Sequence, residues 1–272
     1  MLRKLLKYEF KETARIIPLF YLIALIFAGM VLSAKTLGIS WFEVTSSVLL
    51  MLMGIAVAFT TFILIVLRFY KNLYSNEGYL MFTLPVEPKL LLASKAIVAF
   101  CWMIISYIVC CFSMYLSLYG LGLTGELTVV WGVLESYGME KFTYLIIPLI
   151  VLATLYFLAQ IYFAITLSNS PLFYSMGPAS AFLIFIVTNI ILQIIEAIFT
   201  VFVPFSLRID VLDKIGIELS SKNMFGFLLD SFNGVEISSF VLGLGGYLFQ
   251  ILMAGILFYV TTRSMKKKIS IK

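Results

Sequence analysis

Three polar residues, Asn189, Gln193 and Glu196, interrupt an otherwise apolar run. Spacings of four and three put them on one face of a helix. Polar groups at membrane depth are costly, so such a face turns to a protein interior or to water rather than to lipid. Two roles suit it. One is a line of contacts along a translocation path or a subunit seam; the other is interhelical hydrogen bonding that holds a bundle together. The ionisable Glu196 favours the first, and no basic residue within another apolar run is an obvious partner for it.

A second set of groups stands at the N-terminus. Residues 1–15, MLRKLLKYEFKETAR, read as an amphipathic helix with Lys4, Lys7, Lys11 and Arg15 on one face. Leu2, Leu5, Leu6, Phe10 and Ile16 occupy the other. Such a helix suits the membrane interface, its cations beside lipid phosphates. Glu9 breaks the pattern by projecting from the apolar face. Either it snorkels to water or it pairs with a cation of a neighbouring helix, such as Arg68.

Several chemistries are excluded. The chain has no histidine, which removes the commonest general base and the commonest metal ligand. Cys101, Cys110 and Cys111 lie in one apolar run and read as small packing residues rather than as a disulfide or metal site. There is no GxxxxGK[ST], no HExxH and no GxSxG. The remaining carboxylates lack motif spacing. No catalytic residue, metal or nucleic-acid partner is expected.

The elements that position these groups follow from hydropathy. Of 272 residues, 62% are hydrophobic and 12% charged, and the mean hydropathy of +1.08 exceeds what a soluble core needs. The expected fold is an all-α membrane protein with six transmembrane helices and a single domain over 1–272. Spans are predicted at about 17–34, 45–67, 96–118, 142–167, 179–203 and 240–262. No cleavable signal pattern precedes the first. The 119–141 segment reads as a glycine-containing loop, 168–178 as an uncharged tight turn, and the outer segment 204–239, where charged and apolar residues alternate, as containing short helices at the far surface. Of the nineteen Lys and Arg, fourteen fall before the first span, in 68–95 or in the tail. The positive-inside rule therefore predicts both termini and 68–95 in the cytoplasm.

The 68–95 stretch, RFYKNLYSNEGYLMFTLPVEPKLLLASK, is too aromatic for a plain connector. Tyr74, Tyr79, Leu80, Met81 and Phe82 suggest that something docks there, and Pro88, Lys89 and Lys95 would start and anchor the next span. Its run Glu77, Gly78, Tyr79, Leu80, Phe82, Thr83, Leu84 and Pro85 resembles the EGYL-x-FTLP run of small bacterial type-2 ABC transporter permeases. The span layout and the N-terminal helix are similar too. The resemblance implies that 68–95 holds a coupling helix seated on a separate ATPase subunit, through Tyr74, Glu77, Gly78, Tyr79, Leu80, Met81, Phe82 and Pro85. It further implies a second permease copy, identical or paralogous, ATP and Mg on the partner ATPase with no cofactor on this chain, and a bacterial plasma membrane. The 168–178 turn departs from relatives that carry basic residues there. An ATP-independent six-span channel or sensor scaffold is the alternative. A lipid-modifying enzyme fits less well, for want of clustered carboxylates or histidines.

Overall fold

The computed structural model describes residues 1–74, 86–136, 140–170, 173, 179–210, 217–221, 223–232 and 239–267. In chain order the elements are α1 (Leu2–Thr13), α2 (Ile17–Leu37), α3 (Ser40–Tyr74), α4 (Pro88–Gly120), α5 (Thr124–Ser136), α6 (Glu140–Ser168) and α7 (Ala179–Phe202). There follow β1 (Ser206–Asp210), β2 (Ile217–Ser220), α8 (Met224–Phe232), β3 (Ser239–Gly243) and α9 (Gly245–Lys267). Six of the helices, α2, α3, α4, α6, α7 and α9, are long and apolar enough to cross a membrane. The chain divides into two compact units at Val129 and Val130.

In the first unit α2, α3 and α4 pack together, with α1 laid against α4. Pro18 sits in the first turn of α2, where its missing N–H costs nothing. That helix ends at Gly38, whose φ of 64° is the left-handed cap that glycine adopts freely. Small residues recur every seventh position on both α3 (Ser47, Gly54, Thr61) and α4 (Ser106, Ser113, Gly120). The two stripes meet antiparallel. Ser106 Oγ donates to Thr61 Oγ1 at 2.8 Å, a Cβ on Gly54 would lie 2.8 Å from Ser113 Cβ, and Ser117 Oγ donates to the Ser47 carbonyl at 2.7 Å. Side chains this small let two backbones approach closely, which matters where lipid supplies no hydrophobic drive.

In the second unit α6, α7 and α9 form a three-helix group around Tyr156, Ala159, Leu192, Phe249, Ala254 and Leu257. Gly243, Gly245 and Gly246 allow β3 and the start of α9 to lie against the last turn of α7. A side chain at Gly243 would strike the Thr200 carbonyl, one at Gly245 the Phe199 carbonyl, and one at Gly246 the Thr200 hydroxyl.

The structure departs from the expected layout in several places. The fold is not wholly helical: β1, β2 and β3 form an antiparallel sheet in the order β2-β1-β3, with Ser206 opposite both Ser220 and Gly243. The outer 204–239 segment was expected to contain short helices; among its described residues it holds one, α8, together with β1 and β2, whose SLRID and IELS alternate with period two. The 119–141 loop contains α5. The true turn is at Gly122, with φ of 75°, whereas Gly125 and Gly132 are absorbed into the helix. The sixth span also begins later than expected, because β3 takes Phe240 to Gly243.

Candidate functional site

Glu9 of α1 is the centre of a charge cluster in the first unit. α1 turns Glu9 and Thr13 inward, one helical turn apart, and leaves Lys4, Lys7, Lys11 and the following Arg15 exposed. Arg68 of α3 donates from Nε and Nη2 to Glu9 Oε2 at 3.1 and 3.0 Å. Lys95 of α4 donates to Glu9 Oε1 at 2.6 Å. Arg68 also pairs with Glu12. The Glu9 and Lys95 side chains are 8% and 4% exposed, while Glu12 is 59% exposed. Two carboxylates thus balance two cations, and both oxygens of Glu9 are used. Of the two readings of Glu9, the structure supports pairing with Arg68.

Below the cluster a chain of hydrogen bonds continues across the unit. Thr13 Oγ1 donates to the Glu9 carbonyl at 2.8 Å and accepts from Trp102 Nε1 at 2.8 Å. The Trp102 ring packs at 6.1 Å from both Phe10 and Tyr21. The Tyr21 hydroxyl meets Ser106 Oγ at 2.8 Å, and Ser106 meets Thr61. Four helices are thereby joined through polar groups that satisfy one another, which rigidifies the packing around them.

The cluster stands on the two helices that lead into and out of residues 75–85. Glu77, Gly78, Tyr79, Leu80, Met81, Phe82 and Pro85 fall in that interval, outside the described residues. Tyr74 is the last residue of α3, with its ring 6.3 Å from that of Phe69.

The second unit separates the three polar residues of α7. Asn189 Nδ2 donates to Gln160 Oε1 of α6 at 2.9 Å, and Glu196 Oε1 accepts from Gln250 Nε2 of α9 at 2.7 Å. Asn189 and Glu196 are half-buried, whereas Gln193 is exposed. Asn189 and Glu196 therefore bond to two different neighbours rather than forming one continuous line. Gln160, Gln250 and Tyr156 complete this polar seam, and attention to a single span missed them. The signal was available: Gln160 and Gln250 are the uncharged amides of two other apolar runs.

Among the described residues no group of His, Cys, Asp and Glu could hold a metal ion. The three cysteines are free thiols. Six apolar helices with buried polar contacts define a multi-pass membrane protein. Compared with models of known families, with curated proteins and with solved structures, the chain matches none.

Proposed function

We propose that the chain is the membrane-spanning permease subunit of an ATP-driven exporter in a bacterial plasma membrane, served by a separate ATPase subunit. The observation that carries this reading is the clamp at Glu9, which binds α1 to Arg68 of α3 and Lys95 of α4. These two helices flank 75–85, the interval whose EGYL-x-FTLP run resembles a coupling segment. A force applied to that interval would move the ends of three helices as one body, because a buried, fully paired carboxylate resists separation.

In this reading ATP and Mg act on the partner, and closure of its subunits pushes on Tyr74, Glu77, Tyr79 and Met81. The motion passes through the clamp and the α3–α4 seam. Asn189, Gln193 and Glu196 contribute to the path on the α7 side, Gln193 through its exposed amide. The cation-rich side, with both termini, faces the cytoplasm, and α1 lies at the interface with anionic headgroups near Lys4, Lys7, Lys11 and Arg15. A second permease copy, identical or paralogous, completes the unit. An apolar-walled path suits an amphipathic or hydrophobic substrate such as a peptide, lipid or drug.

Glu77→Lys reverses the charge of the docking segment and lies outside the six predicted apolar runs. Transport should be lost while membrane insertion and yield stay unchanged, and hydrolysis by the partner should no longer respond to substrate. Transport at the unmodified rate in that variant would refute docking at this segment.

A further inference from the structure

One polar side chain in the middle of a span is left without a partner. Asn189 and Glu196 of α7 bond to Gln160 and Gln250, but among the described residues the Gln193 side chain makes no hydrogen bond. It is exposed, and it stands 2.5 residues from the midpoint of α7 (Ala179–Phe202), about 4 Å along the axis at 1.5 Å per residue. At that depth hydrocarbon offers an amide neither donor nor acceptor, so a polar residue there normally turns to protein or water. α7 is also the least covered span. Only 6% of its apolar stretch is buried, against 22–39% in the other five.

Gln193 lies on a regular line. Leu183, Ile186, Ile190, Gln193 and Ala197 follow at spacings of three, four, three and four, the seven-residue repeat of a helix seam. Leu183 and Ile190 are 49% and 51% exposed, Ala197 is exposed and Ile186 half-buried. We propose that α7 pairs along this line with α7 of a second copy of the chain, the two Gln193 amides exchanging hydrogen bonds. An amide carries two N–H donors and an acceptor oxygen, so its natural complement is another amide. Copies inserted with one orientation and related by a two-fold axis along the membrane normal bring the same residue to the same depth on both sides. Ala197, one turn on, is small enough for the backbones to approach. A single polar position in an apolar seam also fixes its register, since any slip parts the amides. The exporter reading already calls for a second copy; the seam goes further, naming its face and making it identical. In that reading, on which this sentence alone rests, the path runs beside this seam and meets Gln193 from both copies.

The test uses the purified full chain in liposomes, with Cys101, Cys110 and Cys111 replaced by serine. Under mild oxidation Ile190→Cys and Ala197→Cys should each give a disulfide-linked dimer. Ile191→Cys, exposed but about 160° around the helix from Gln193, should not. Energy transfer between donor- and acceptor-labelled copies, followed on dilution with lipid, should show dimers whose association Gln193→Leu weakens about threefold or more. Gln193→Asn, which keeps donor and acceptor, should retain part of that loss. Gln193→Leu makes the span more apolar, so insertion does not limit the measurement. Equal cross-linking at Ile191→Cys, association indifferent to Gln193→Leu, or monomers at every dilution would each overturn the proposal. No ATPase is present, so such a failure leaves its recruitment untouched and directs the exporter reading to a paralogous second copy. Pairing by a chain that recruits no ATPase would keep the seam and remove that reading.

Discussion

Glu9 shows what one side chain does for the first unit. A carboxylate on the apolar face of an amphipathic helix is costly unless its charge is met, and Arg68 and Lys95 meet it on both oxygens. Removing Glu9 takes the carboxylate from the buried Lys95, whereas Arg68 keeps its pair with Glu12. Glu9→Gln should therefore lower stability by roughly 3–5 kcal/mol, measured by thermal unfolding in detergent. The loss should be partly recovered in the double variant Glu9→Gln, Lys95→Met; strict additivity would show that the two groups are not coupled. Glu12→Ala should cost less than about 1 kcal/mol, because its carboxylate is largely in water. Arg68 was legible as a partner, being a cation at the end of an apolar run on a neighbouring helix. Lys95 was not. It reads as an interfacial anchor, and only the packing of α1 against α4 turns it inward beside Leu91, Leu92 and Ser94.

At the level of elements, the α3–α4 seam depends on small side chains at seven-residue spacing. Gly54→Leu would drive a branched side chain into Ser113 and should destabilise the first unit by about 1–3 kcal/mol, the usual cost of overpacking. Thr61→Ala should cost less, about 0.6 kcal/mol, as is typical for one interhelical hydrogen bond in a membrane. Thermal unfolding of both variants checks the order, and an inverted order would mean that close approach is not what holds the seam. The six long helices were legible because apolar runs of that length have few other uses. Their ends were less so. α3 has 35 residues, about 52 Å at 1.5 Å per residue, against a hydrocarbon core of about 30 Å, and hydropathy cannot see helix that continues into water. The small sheet was hidden because its strands are four or five residues long. α5 was hidden by glycines that a helix tolerates at about 1 kcal/mol each.

For the whole molecule, the distribution of charge makes a prediction about sidedness. With the native cysteines replaced by serine, Lys7→Cys on α1 and Glu126→Cys on α5 both present exposed positions. In right-side-out vesicles an impermeant maleimide should modify Glu126→Cys and spare Lys7→Cys; the reverse pattern would overturn the assignment of the termini to the cytoplasm. Of the two candidate regions, the clamp was half legible, because a lone acid on an apolar helix face demands a partner. The seam at Glu196 was legible only as one helix face, since hydrogen bonds between distant segments, such as Asn189 to Gln160, leave no trace in local spacing. The account as a whole rests on a partner that hydrolyses ATP. Its most direct test is a gentle-detergent pull-down of the tagged chain from its native membrane, with the eluate assayed for ATP hydrolysis. Co-purification of an ATPase subunit, lost with Glu77→Lys, is the predicted result; a chain that elutes alone and inert across several detergents would contradict it.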